Sequence, residues 1–155
     1  MIKNIENADN ESPSEQQLNS LLEYYKTGQN SDAEKLAMSL TQEFPNHPFG
    51  WAVLGAVLLL SGRKVEALNA NQKSVELSPK DAESHNNMGG TFLGMERFAE
   101  AKESFSQAIA LNPDFASAHN NLGNTLKNLG RLEEAEASYT QAIVLKPDFP
   151  SAHYN

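Results

Sequence analysis

The sequence contains no cysteine, so disulfide bonds and thiolate metal sites are excluded. It also lacks a long apolar stretch, since its longest apolar run, residues 51–60, is about half the ~20 residues that cross a bilayer. The polar and acidic start, residues 1–13, lacks the basic and then apolar pattern of a signal peptide and is predicted to be a flexible arm. We therefore expect a cytoplasmic protein that does not enter a membrane.

Basic residues are scarce as well. The 12 lysines and arginines are outnumbered by 20 aspartates and glutamates, which gives a net charge of -8. Such a surface repels nucleic-acid phosphates and anionic membranes. We expect neither nucleic acid nor a membrane among the partners.

What the sequence does contain is an internal repeat of 34 residues. The prolines at 45, 79, 113 and 147 recur at this spacing, and "SHNNMGGTFLGMERFAEAKESFSQAIALNPDF" aligns with "AHNNLGNTLKNLGRLEEAEASYTQAIVLKPDF" without a gap. In each unit, apolar residues at helical spacing are followed by a glycine turn and a second helical pattern that ends at the proline. The pattern predicts two short amphipathic helices per unit, which bury their apolar faces only against neighbouring units.

Several positions of the unit carry the same kind of residue each time. Small residues, which are expected where the helices cross closely, recur at Gly55, Gly89 and Gly123 and at Ala33, Ala67, Ala101 and Ala135. Glycines expected in the turns recur at Gly28, Gly62 and Gly130. Phe105 and Tyr139 continue the inner stripe of the second helix. Together these positions resemble the consensus of the tetratricopeptide repeat (TPR).

The resemblance implies an all-α, right-handed superhelical solenoid whose first helices line the concave side. The TPR domain then spans residues 14–155, with repeats at about 14–47, 48–81, 82–115 and 116–149 and a partial fifth at 150–155. In the first repeat the apolar stripe lies one residue later than the gapless alignment places it, so its first helix is open to a shift of one residue. The second repeat has Asn71 and Ser74 where an aromatic residue and alanine are usual.

Asparagines recur on the predicted first helices. Asn87, Asn121 and Asn155 precede the inner apolar residue of successive repeats, and an amide can pair with both the N–H and the C=O of an extended peptide. This pattern resembles the TPR array of O-linked N-acetylglucosamine transferase and related bacterial proteins, in which a ladder of asparagines holds polypeptide. Further peptide contacts are predicted, by position, at Asn86, Asn120, Asn124, Lys127 and Asn128. The alternative is that asparagine recurs only because the repeat was duplicated.

The second repeat places an apolar patch on the same side, with Phe49, Val53 and Leu59 as candidate contacts. Such a patch either docks an apolar partner or is covered by the chain itself. TPR proteins that hold the acidic end of heat-shock chaperones need lysine or arginine on the inner helices. The matching places here hold other residues, among them Ala52, Asn86 and Glu83. Binding of the acidic end of a chaperone is therefore not expected.

The sequence shows no motif for catalysis, for a cofactor or for a metal. His85, His119 and His153 recur at the repeat spacing and belong to different layers, so packing is favoured over metal ligation. We expect no catalytic residue and no enzyme activity. The preferred function is a scaffold that binds protein or extended peptide through the asparagine ladder. The alternatives are self-assembly, through the carboxy-terminal repeat or the apolar second repeat, and the targeting region of a longer transferase.

Overall fold

The structure, a computed structural model, describes residues 12–147, and all regular secondary structure in this range is α-helical. Eight helices follow one another within these residues. They are α1 (Glu15–Lys26), α2 (Asn30–Glu43), α3 (Pro48–Leu60), α4 (Lys64–Leu77), α5 (Ala82–Gly94), α6 (Phe98–Leu111), α7 (Ala116–Asn128) and α8 (Leu132–Leu145). The predicted arm up to residue 11 and the predicted fifth repeat lie outside the described residues.

The helices pair as antiparallel hairpins, and the hairpins stack in chain order. Each second helix (α2, α4, α6) packs both on its own first helix and on the first helix of the next hairpin. The first helices (α1, α3, α5, α7) also contact one another directly, whereas direct contact between successive second helices is marginal at most. The stack is therefore curved towards the first helices, which line its concave side. The prediction of an all-α repeat solenoid is confirmed.

Each hairpin turns through a residue with left-handed backbone geometry. Gly28, Gly62 and Gly130 have φ angles of 73°, 75° and 74°, and Glu96 takes the same place in the third hairpin with φ 60°. In all four turns the amide of the next residue bonds the carbonyl five residues earlier, as Arg63 N does to Leu58 O at 2.9 Å. This is the Schellman arrangement, which ends a helix where a left-handed residue follows. The turns are thus the most regular part of the repeat.

In each connection between hairpins, a side-chain ring nitrogen is hydrogen-bonded to the carbonyl of the proline. Trp51 Nε1 donates to the carbonyl of Pro45 at 2.9 Å, and the His85 and His119 Nε2 atoms bond the carbonyls of Pro79 and Pro113 at 2.8 and 2.9 Å. A carbonyl only accepts, so each of these histidines carries its proton on Nε2. The repeat spacing of His85 and His119 therefore follows from this turn contact.

The two helices of a hairpin cross where the first one has a glycine. A Cβ added to Gly89 would lie 2.7 Å from Phe105 Cε1, and one added to Gly123 would lie 2.5 Å from Tyr139 Cε1. In the first hairpin the equivalent places hold Leu21 and Ala37, both fully buried. The large side chain at this crossing is therefore on the first helix, whereas in the third and fourth hairpins it is on the second. α1 accordingly begins one residue later than the gapless alignment, although its last residue stays in step with α3, α5 and α7.

Adjacent glycines in α5 provide a test of this crossing. Gly89→Ala is expected to lower the free energy of unfolding by about 1 to 3 kcal/mol, because the buried Phe105 ring blocks the new methyl group. Gly90→Ala meets only Leu59 Cδ2, at 3.9 Å, and is expected to raise it by about 0.5 to 1 kcal/mol through helix propensity. Urea unfolding measures both. Equal effects of the two substitutions would contradict the close crossing.

The contact between the second and third hairpins is unusually polar. Asn71 of α4 is fully buried and donates through Nδ2 to Thr91 Oγ1 at 2.9 Å and to the Asn87 carbonyl at 3.3 Å. Beside it, the buried hydroxyls of Ser74 and Ser84 lie 2.8 Å apart. Asn71 and Ser74 occupy the places noted in the sequence as departures from the repeat. Asn71 thus joins α4 to α5 by hydrogen bonds, whereas the third and fourth hairpins have an aromatic ring, Phe105 or Tyr139, at its place.

Thr91→Val tests this polar contact because it removes the hydroxyl and keeps the shape. We expect a loss of about 1 to 3 kcal/mol in the free energy of unfolding, since the buried Asn71 amide loses its shorter hydrogen bond. Thr140→Val is the matched control, because its exposed hydroxyl also bonds the carbonyl four residues earlier. It should cost less than about 0.5 kcal/mol. Similar losses at both threonines would show that the buried bond adds nothing.

Candidate binding groove

The concave side contains a cavity of about 430 Å³, here called the groove cavity, between α1, α3 and the start of α5. Its walls include Leu22 and Tyr25 of α1 and Phe49, Ala52 and Val53 of α3. Val53 is almost fully buried at 6% exposure, so it belongs to the core as well as to the cavity wall. These side chains lie there because α1 and α3 are adjacent first helices, each with an apolar face turned to the concave side. The cavity therefore has an apolar base.

The edge formed by α5 is acidic. Asp81 is the N-cap of α5 and accepts from the Ser84 backbone N–H at 2.8 Å and from Ser84 Oγ at 2.6 Å. Glu83, two residues later, makes no hydrogen bond or ion pair with any residue of the described range. Neither lysine nor arginine lines the cavity within residues 12–147. One of its two carboxylates is thus committed to the helix end and the other has no partner there.

The environment of Glu83 disfavours its charge. Loss of hydration is the larger cause that raises the pKa of the Glu83 carboxyl, and the negative charge of Asp81 raises it further. Burial, and then the charge of Glu83, raises the pKa of the Tyr25 hydroxyl across the cavity. Glu83 as a residue is nevertheless exposed, so the effect on its charge is small. A cation placed beside it would relieve this penalty.

The predicted asparagines are divided between the groove and the helix contacts. Asn87 lines the groove cavity, four residues after Glu83 on the same helix face. Asn121 Nδ2 donates to Asn86 Oδ1 at 3.1 Å, so these half-buried amides join α7 to α5 across the repeat boundary. The structure therefore brings Asn86 and Asn121 together, in a contact that the sequence reasoning had not foreseen.

The remaining predicted contacts lie elsewhere on α7. Asn120 is buried, at 5% exposure, and its Oδ1 has no hydrogen-bond partner among residues 12–147. Asn124 Oδ1 accepts from the Tyr139 hydroxyl at 2.8 Å, and Asn128 Nδ2 donates to the Asn124 carbonyl at the same distance. Lys127 is exposed beside a shallow cleft between α7 and α8. Asn155 lies outside the described residues.

The three predicted apolar contacts also separate. Phe49 and Val53 line the groove cavity, whereas Leu59 packs over α5, where a Cβ added to Gly94 would lie 3.2 Å from Leu59 Cδ1. The sequence reasoning did not include Tyr25, Asp81 or Glu83 in a site. One signal was available, because Glu83 and Asn87 are four residues apart and share a helix face.

No helix within residues 12–147 is long and apolar enough to span a membrane. Nor does this part hold a group of three histidine, cysteine or acidic side chains placed to bind a metal ion.

The Tetratricopeptide repeat family model matches residues 87–153. No curated protein sequence matches the chain. The family match agrees with the 34-residue period and with the stacked hairpins. Residues 87–153 thus match the tetratricopeptide repeat, and a fold of this kind supports a role in protein–protein interaction.

Solved structures show the same fold. TTC0263, a thermophilic TPR protein of Thermus thermophilus, has a TM-score of 0.79 at 22% identity, over 85% of this chain and 74% of that one. A MamA structure from Desulfovibrio magneticus RS-1 has a TM-score of 0.73 at 22% identity, over 86% and 75%. The first TPR of Spaghetti (RPAP3), solved with the HSP90 peptide SRMEEVD, has a TM-score of 0.66 at 24% identity, over 68% and 84%.

Glu83→Gln tests the cost of the groove carboxylate. A raised folded-state pKa means that ionised Glu83 destabilises the folded chain above that pKa and ceases to do so below the ordinary value of about 4.3. The charge also interacts favourably with the helix N-terminus, which opposes this effect. We expect Tm to rise by about 1 °C at pH 7, a small change because Glu83 is exposed, and to be unchanged near pH 3.

Glu133→Gln is the matched control for thermal unfolding at both pH values, because Glu133 is exposed at the same place in the first turn of α8. It loses only the favourable interaction with the helix N-terminus, so Tm should not rise at pH 7. A lower Tm for Glu83→Gln at pH 7 would show that the carboxylate stabilises the fold instead.

Proposed function

We propose that the chain is a scaffold without catalytic function, which holds an extended segment of another protein on its concave side through asparagine amides. One observation carries the proposal most directly. Asn86 and Asn121 bond each other across the repeat boundary on adjacent first helices, and Asn87, the residue after Asn86, lines the groove cavity. The amides are thereby held in place before any ligand binds.

The bonded amides keep unused hydrogen-bonding capacity. Asn121 uses one N–H of its amide and Asn86 uses one lone pair of its carbonyl, so further N–H and C=O groups remain for a ligand. A peptide backbone offers the same two groups at every residue, whatever its side chains. Because the amides are held by each other, little side-chain freedom is lost on binding. The pair suits an extended chain of varied sequence.

The expected affinity is modest. A hydrogen bond contributes about 1 kcal/mol net, so three asparagines supply about 3 kcal/mol. Burial of an apolar side chain in the groove cavity adds about 1.5 to 3 kcal/mol. The sum corresponds to dissociation constants from about tens of micromolar to several hundred micromolar. A partner is therefore held by several repeats together or for a short time.

The resemblance to the array of O-linked N-acetylglucosamine transferase extends this proposal. There a ladder of asparagines holds polypeptide, and the present chain has asparagines at 87 and 121 in corresponding places, with Asn155 at the next repeat interval. A cytoplasmic location is part of the same proposal, and the targeting region of a longer transferase is the alternative that the resemblance implies.

Self-assembly is the second candidate, and the surface of α8 favours it. Leu132 and Val144 are 61% and 67% exposed, and Ile143 lines the cleft between α7 and α8. Apolar side chains in such positions are suited to pack against a second copy. Sedimentation velocity distinguishes the candidates, because a groove that binds peptide in a strict monomer leaves no role for copy-to-copy contact.

Replacing the groove amides tests the preferred function. The double variant Asn87→Ala and Asn121→Ala should weaken binding of unstructured peptides about tenfold or more, since two hydrogen bonds of about 1 kcal/mol each are lost. Isothermal titration with a set of unstructured peptides of differing sequence measures the change. The loss should be similar for all peptides, because the amides pair with the backbone.

Asn69→Ala is the control, because Asn69 is exposed on the second helix α4, away from the groove. It should leave every affinity unchanged. Peptide binding that survives the double variant at full strength would remove the asparagine ladder from the account.

A further inference from the structure

We propose that the groove cavity selects peptides in which a large apolar side chain is next to a lysine or arginine. The inference rests on the proposed function, since it assigns the chemistry of the segment that the groove holds. It follows from two features that lie side by side on the concave surface. One is an apolar recess and the other is a carboxylate without a partner among residues 12–147.

The recess fixes the apolar part of the ligand. At about 430 Å³, it falls in the size range of pockets that enclose small ligands, so it has room for one bulky side chain. Phe49, Val53 and Leu22, from two adjacent first helices, supply the apolar walls. The Asn87 amide at the same cavity can hold the backbone while the side chain enters. A bulky apolar residue in an extended segment fits all three features.

The edge fixes the charged part. Glu83 and Asp81 are the only charged residues in the described lining of the cavity, and both are acidic. Asp81 already accepts two hydrogen bonds from Ser84, which leaves the Glu83 carboxylate for a ligand. A guanidinium or ammonium group beside Glu83 would replace lost hydration by a charge-assisted hydrogen bond. The cation must therefore be adjacent to the residue that fills the recess.

Charge also separates this ligand from the other possible occupants. An acidic peptide would bring like charges together at Glu83 and Asp81, which disfavours binding. A second copy of the chain carries a net charge of -8, so its approach is opposed in the same way. The occupant that the groove fits is a basic and apolar segment of another protein.

Three labelled peptides of about twelve residues test the proposal by fluorescence anisotropy. All are glycine- and serine-rich, and their centres are a phenylalanine between two arginines, a phenylalanine between two glutamates, and an alanine between two arginines. The first should bind about tenfold tighter than either of the others. Raising the salt concentration should reduce its advantage over the glutamate peptide, because the groove edge is exposed.

Glu83→Gln should weaken binding of the phenylalanine–arginine peptide about five- to tenfold and leave the glutamate peptide unchanged or slightly tighter. Glu133→Gln, an exposed carboxylate on α8, should change neither. The Glu83→Gln chain should also be at least as stable as the natural one at pH 7, so weaker binding cannot be attributed to unfolding. A purely structural role for Glu83 would change both peptides equally.

Three results would overturn the proposal. If the three peptides bind equally and only the asparagine variants weaken them, the groove binds peptide without this selectivity and the proposed function stands alone. If no peptide binds, the proposed function fails together with the inference. A chain without residues 1–11 should keep the preference and its dependence on Glu83, and loss of the preference would place recognition in those residues instead.

Discussion

The structure depends on the burial of apolar faces between hairpins. A single pair of helices of about thirteen residues cannot bury its own apolar surface, so each hairpin obtains a core only from its neighbours. The close crossing at Gly89 and Gly123 determines how the two helices of a hairpin meet, because an aromatic ring of the second helix lies directly over the glycine. Repetition of this crossing places the first helices side by side. The concave groove is a consequence of the same stacking.

The repeats are not identical, and their differences give the groove two chemical halves. The amino-terminal half has the apolar recess of α1 and α3, with the acidic start of α5 at its edge. The carboxy-terminal half, on α5 and α7, has the bonded amides of Asn86 and Asn121. Between these halves, buried Asn71 links α4 to α5 in place of an aromatic ring. One half therefore favours particular side chains and the other favours a peptide backbone.

The sequence predicted what depends on period and local geometry. Spacing of prolines and glycines was sufficient for the hairpins, their turns and the solenoid, because each of these follows from residues close together in the chain. The same spacing did not show that the first hairpin has its large side chain, Leu21, on the first helix and its small one, Ala37, on the second, because this depends on how the two helices pack. Nor did it show that Asn121 bonds Asn86, or that Glu83 lines a cavity formed with α1 and α3, since both depend on residues of other repeats. The recurring asparagines were visible, but their division between groove and helix contacts was not.

The most direct test of the account is a titration followed by NMR, which observes the side-chain amides themselves. An isotopically labelled chain would be titrated with an extended peptide that carries a phenylalanine between two arginines. The account predicts shifts in the side-chain amide signals of Asn86, Asn87 and Asn121 and in the backbone signals of α3 and α5, with α4 and α6 little changed. Shifts confined to α4, α6 and α8, on the opposite side of the stack, would contradict it.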